Sequence, residues 1–167
     1  MTRSRTIRRA TLAAALVSLT LPVSVAFAAD AKSLVGTYST VSIVTTGTDG
    51  KKMEPFGPKP QGMTVFTPDG RYMSIVVKPD LPKYAANNRM AGTPAEMKAV
   101  VDGSITHYGK YTVEGDAINF HIEHSTYPNW DGTTQKRTFK MEGDTLKYHV
   151  PAASTGGTSE VVLKRIK

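Results

Sequence analysis

The turns constrain this chain more than any other feature. Asp-Gly or Gly-Asp pairs stand at 49–50, 69–70, 115–116 and 143–144. Such pairs connect hairpins, because glycine takes the backbone angles a tight turn demands and aspartate bonds its own backbone. Between them run short stretches rich in Val, Ile, Thr and Tyr, at 36–46, 62–67, 72–77, 105–113, 117–125, 134–141, 145–150 and 159–166; these residue types fit a pleated, half-buried surface. Residues 53–61 carry Pro55, Pro58 and Pro60 and are excluded from a central strand. A polar loop over 78–92 precedes the one helix. There Thr93 fits the N-cap, Pro94 the first turn and Glu96 a capping box, Met97, Val100 and Val101 form an apolar side, and Gly103 ends it. Eight closely spaced strands with one short inserted helix predict an all-β fold, an eight-stranded antiparallel up-and-down barrel. The interior of such a barrel is wide enough for one small ligand.

The first residues read as a leader and not as part of the fold. Arg3, Arg5, Arg8 and Arg9 precede an uncharged apolar run over 12–25, and Ala26-Phe27-Ala28 supplies a small-x-small cleavage site. That order is a secretory signal peptide over 1–28, cleaved before Ala29. A membrane anchor is the rival, but the run is short for a span and polar sequence follows at once. Arg8-Arg9 raises a twin-arginine export route that its neighbours fit poorly. The barrel domain is then 29–167, and the product is expected in the periplasm or outside the cell, with no membrane insertion after cleavage. Removing four arginines from 21 basic residues leaves 17 against 14 acids, a net charge of +3 where the whole chain carries +7. That modest charge is spread out, without a basic helix or a long Lys/Arg run, and predicts no nucleic-acid partner. The chain has no cysteine, which excludes a thiol nucleophile, a zinc–thiolate site and disulfide support. A monomer or weak dimer is the expected state.

Chemistry concentrates in 119–132, Asn-Phe-His-Ile-Glu-His-Ser-Thr-Tyr-Pro-Asn-Trp-Asp-Gly. His121 and Glu123 are two apart on a strand and point to one side; the following loop holds Asn129 and Trp130, the only tryptophan. Two orientations are open. With His121 and Glu123 inside, they form a titratable pair ready to bind or move a proton. With Ile118, Phe120 and Ile122 inside, the pair stands in water, and alternation favours this second arrangement. Register bears on the choice. A Glu114-Gly115 turn sets Tyr108 against His121, whereas a Glu114–Asp116 loop sets Gly109 there and His107 against Glu123.

Arg137 shares a face with Gln135, Phe139 and Met141, which carries it inward, either to a partner such as Glu123 or an anionic ligand, or to the rim with its head in water. Tyr72 either lines the pocket mouth or is a surface aromatic. Trp130 reads as a lid over an open barrel end. His107, His121, His124 and His149 show no metal-ligand spacing, so neither a metal nor another cofactor is expected.

Several segments, taken in order, resemble the bacterial lipocalin-like domain family of calycin-type barrels. They are Leu34-Val35-Gly36-Thr37-Tyr38, Pro55-Phe56-Gly57-Pro58, Thr67-Pro68-Asp69-Gly70-Arg71, Ala91-Gly92-Thr93-Pro94-Ala95-Glu96, Tyr108-Gly109-Lys110-Tyr111, and His121-Ile122-Glu123 through Pro128-Asn129-Trp130. The resemblance implies the barrel and places His-x-Glu in the family pattern. It implies little about activity. Tyr38 stands where such barrels carry tryptophan, and His124 where a small residue is usual; Arg165 is then the cation expected over the Tyr38 ring.

The leading expectation is an exported barrel that binds a small, partly apolar molecule, with Tyr38, Tyr72, Tyr108, His121, Glu123, Asn129, Trp130 and Arg137 shaping its pocket. No catalytic residue is assigned. One rival is an isomerase, cyclase or hydratase using His121 and Glu123 as acid and base. A second is an envelope or stress interaction module with a filled core.

Overall fold

A computed structural model describes residues 31–166; the leader expected at 1–28 lies outside the described residues. The elements are α1 (Ala31–Leu34), β1 (Gly36–Thr46), β2 (Lys52–Met53), β3 (Gln61–Phe66), β4 (Arg71–Val77), α2 (Pro94–Asp102), β5 (Ser104–Glu114), β6 (Ala117–Ser125), β7 (Thr134–Glu142), β8 (Thr145–Val150) and β9 (Thr158–Arg165). Two single 3₁₀ turns, Arg89–Ala91 and Pro128–Trp130, interrupt the loops. Strands β1 and β3 to β9 pair in sequence order, all antiparallel, and β1 closes on β9 from Tyr38↔Arg165 to Thr46↔Thr158. The result is the expected closed eight-stranded barrel, with β2 as a short ribbon on the end of β1.

Alternation decides what lies inside. Tyr72, Ser74 and Val76 of β4 point inward, while Met73 and Ile75 on its greasier side face out, Met73 being 50% exposed. On β6, Ile118, Phe120 and Ile122 fill the lumen side. A bulge in β1 between Thr40 and Ser42 shifts the alternation by one. Tyr38 and Thr40 before it and Ile43 and Thr45 after it therefore all turn inward.

One barrel end is sealed. Leu34 of α1 plugs it, and the Tyr38 hydroxyl donates to the Leu34 carbonyl at 3.0 Å. Arg165 lies over the Tyr38 ring, its guanidinium carbon 4.7 Å from the ring centre, and donates to the carbonyls of Val35 and Ser33. Phe66 sits beneath them with Tyr38, Tyr111 and Phe120 at 5.9, 5.0 and 6.0 Å between ring centres. Arg165 thus takes the structural place expected of it.

Helix α2 begins as its capping box requires: the Thr93 hydroxyl accepts from the Glu96 amide, and the Glu96 carboxylate accepts from the Thr93 amide at 2.7 Å. The same carboxylate accepts from the Ala85 amide at 2.8 Å and so ties the 78–92 loop to the helix. The apolar side expected of this helix is largely in solvent, since none of its residues is buried.

The β5–β6 register differs from both arrangements read from the sequence. Gly115 and Asp116 form the two-residue turn, Glu114 faces Ala117, and Lys110 faces His121. Gly115 takes φ +63° at the first turn position, where a primed hairpin turn needs it. Farther along, β6 carries one extra residue between Ile122 and His124, opposite the Tyr108–Gly109 step. A Cβ on Gly109 would lie 2.0 Å from the His121 carbonyl oxygen, so the strands approach this closely only because the residue is glycine.

Candidate ligand-binding site

The end opposite the Tyr38 plug leads into a cavity. Inward positions of four strands supply Ser74 (β4), His107 (β5), Arg137 (β7) and Tyr148 (β8), and the 3₁₀ turn after β6 supplies Trp130. The cavity measures about 60 Å³. Beyond it lies a wider space of about 250 Å³ lined by Phe56, Val101, Ile105, Tyr127, Ser154 and Thr155. Phe56, Ile105, Ser154 and Thr155 border both, so the two are successive chambers: an inner one whose apolar walls, among them Ile43, Val76, Val150 and Val161, surround Arg137, and a mixed mouth that also carries Asp102, Ser104 and Thr126.

Arg137 dominates the floor. It is 2% exposed and is the one charged side chain among the buried described residues. Its Nη2 donates to Gln135 Oε1 at 2.7 Å, but its buried Nε has no hydrogen-bond partner among the described residues. No carboxylate among the described residues pairs with it. Three rings surround the guanidinium instead: Phe120 at 4.6 Å and Trp130 and Tyr148 at 5.5 Å from its carbon to the ring centres. Aromatic faces offset part of the cost of burying a cation but supply no hydrogen-bond acceptor for Nε. Burial lowers the Arg137 pKa from its ordinary value; a guanidinium nonetheless keeps its proton in proteins.

The neighbours are neutral. His107 is 5% exposed, with Nδ1 3.0 Å from the Tyr72 hydroxyl. Burial, and then the charge of Arg137, hold the His107 pKa well below its ordinary value. Burial pushes the Tyr72 and Tyr148 hydroxyls up, so both remain phenols at neutral pH. Two pairs of buried hydroxyls bond each other across strands, Thr45 with Ser159 at 2.7 Å and Thr64 with Ser74 at 2.9 Å. The floor therefore carries one uncompensated positive charge beside a Tyr–His hydrogen-bonded pair.

Of the residues expected to shape a pocket, Arg137 and Trp130 border the cavity; Tyr72 lines neither the mouth nor the surface but is buried in the core behind His107, which its hydroxyl meets at Nδ1. Arg137 is in the core and not at the rim, and Glu123 is not its partner. Trp130 forms a half-buried side wall, its ring 5.5 Å from His107 and 5.7 Å from Tyr127, edge to face in both cases. Asn129, in the same turn, is exposed.

The interior orientation of His121 and Glu123 is corrected. Phe120 and Ile122 occupy the lumen side, which leaves His121 outside against Thr134 Oγ1 at 2.9 Å and Glu123 outside against Arg71 at 3.3 Å. Tyr108 is also outside, 41% exposed, its ring centre 5.8 Å from that of His124. Tyr38 belongs to the sealed end and does not border the cavity.

Two principal floor residues escaped the sequence reading. His107 alternates with Ile105, Tyr111 and Val113, and Tyr148 with Leu146 and Val150, all on the inward faces of β5 and β8. That period-2 pattern is the available signal.

Comparison with known proteins agrees with this architecture. The profile of a family described as a lipocalin-like domain matches residues 35–166, the span from the end of the Leu34 plug to the close of β9. The 4'-hydroxy-3'-methoxypropiophenone carrier protein of Aspergillus oryzae is 30% identical over 80 residues, which cover 43% of this chain and 72% of that protein. A closed antiparallel barrel of eight strands, matched by the family profile along almost its whole described length, belongs to the lipocalin-like domain family.

Proposed function

We propose that this barrel binds and carries a small, partly apolar molecule in its lumen, with the polar end of the ligand on Arg137 and its apolar body along the inner walls formed by Ile43, Val76, Val150 and Val161. The observation that carries this reading is the buried guanidinium whose Nε has no acceptor among the described residues, placed on the floor of a cavity that opens outward. A buried donor without a partner is costly, and a ligand oxygen would relieve that cost. The apolar walls of the inner chamber would supply the driving force and Arg137 the orientation, the usual division of labour in such pockets. The fungal relative's name supports the reading: it is a carrier for an aryl ketone, a small ring bearing an acceptor oxygen. For this chain we propose the same kind of task, carried out in the periplasm or outside the cell after removal of the leader. His121 and Glu123, on the outer face, have no enclosed substrate position between them, and the acid–base rival loses its site.

The test is calorimetric titration with small aromatic ketones and acids on the wild type and on Ile105→Trp, which fills the throat between the chambers. Saturable binding at one site, weakened at least tenfold by the substitution, is the expected result. Absence of binding across the panel, or affinity indifferent to Ile105→Trp, would refute lumenal binding.

A further inference from the structure

We infer that the ligand of this lumen is a monoanion, a small carboxylic acid bound as its carboxylate on the Arg137 guanidinium. The inference rests on the lumenal binding proposed above and names the ligand class for that site.

The charge count points there first. Arg137 is the one charged side chain among the buried described residues, and no carboxylate among the described residues pairs with it. A cation taken from water into a core is strongly destabilising unless a charge of opposite sign accompanies it. The three rings at 4.6, 5.5 and 5.5 Å are partial counter-charges. A neutral ligand leaves the lumen positive, a dianion reverses its sign, and a monoanion brings it to zero.

Geometry narrows the anion. One Nη already donates to Gln135, while Nε has no acceptor. The planar fork of a guanidinium matches the two oxygens of a carboxylate, whereas one phenolate or ketone oxygen satisfies it less fully. Burial keeps the neighbouring hydroxyls of Tyr72 and Tyr148 as phenols, so they add no competing negative charge. Tyr72 already engages His107 Nδ1, which leaves Nε2 as the imidazole nitrogen for a cavity occupant.

The lining gives the third constraint. Arg137 stands among Ile43, Val76, Val150 and Val161 in the inner chamber, so the carboxylate is joined to an apolar body that packs on these side chains and reaches past Ile105 toward the outer chamber.

The experiment compares 3-phenylpropanoate with its neutral isostere 3-phenylpropanamide by calorimetry at pH 7.5, on the wild type, Arg137→Met and Arg137→Lys. The expected result is at least tenfold tighter binding of the carboxylate by the wild type. Arg137→Met should abolish that preference while still binding the amide, and Arg137→Lys, which keeps the charge but loses the fork, should retain part of it. Equal or tighter binding of the amide by the wild type, or a carboxylate preference that survives Arg137→Met, would overturn the inference. If neither phenylpropane probe binds but 4'-hydroxy-3'-methoxypropiophenone does, the carboxylate class fails and lumenal binding stands; if none of the three binds, both fail.

Discussion

Arg137 lies over the Phe120 ring in the barrel interior, its guanidinium carbon 4.6 Å from the ring centre. The contact holds a cation where no carboxylate among the described residues answers it. Function, not stability, explains such an arrangement, because a buried charge is commonly replaced by an apolar side chain without loss. Arg137→Met is therefore expected to leave the folded state as stable as the wild type, or more stable by up to about 2 kcal/mol. Chemical denaturation followed by circular dichroism measures this, and a loss above about 2 kcal/mol would mean that the arginine holds the core together.

The opposite outcome is expected for Arg165. It stacks on Tyr38 and donates to the carbonyls of Val35 and Ser33, so it fastens β9 to the plug at the sealed end. Arg165→Ala removes a cation–π contact and two charge-assisted hydrogen bonds and should cost on the order of 2 kcal/mol. Ligand affinity should not change, because Arg165 does not border the cavity. Thermal melting and a parallel titration separate the two effects.

His107 makes stability depend on pH in a defined direction. Its folded pKa lies well below the ordinary value of 6.5, so near and below pH 6.5 the unfolded chain binds a proton that the folded chain refuses. The stability contributed by neutral His107 is fully present above pH 6.5 and declines as pH falls from there toward the depressed folded value. Urea midpoints between pH 7.5 and 5 should fall for the wild type and fall less for His107→Gln. Parallel curves for the two proteins would contradict the buried neutral imidazole.

The outer His121–Glu123 pair should be inert by comparison. Glu123 makes a part-exposed ion pair with Arg71, and His121 bonds Thr134 at the surface. Exposed pairs contribute little. The double substitution His121→Gln with Glu123→Gln is expected to change stability by less than about 0.5 kcal/mol and ligand affinity by less than twofold. A tenfold loss of affinity would return these residues to the site.

Local chemistry determined much of this protein. The Gly-Asp and Asp-Gly turns, the Thr93–Glu96 capping box and the β-branched stretches placed the strands and the helix within a residue or two, because each depends on backbone preferences acting over a few neighbours. Alternation also marked Phe120, Ile122 and Arg137 as inward. Tertiary structure alone decided the rest. Turn position and the extra residue in β6 set a register that no local pattern specifies, and one residue of slip changes which side chains face the lumen. Closure of β1 on β9 joins segments more than a hundred residues apart. Only that closed, staggered wall brings Ser74, His107, Arg137 and Tyr148 from four strands to one floor, because their nearness follows from long-range pairing and not from spacing along the chain.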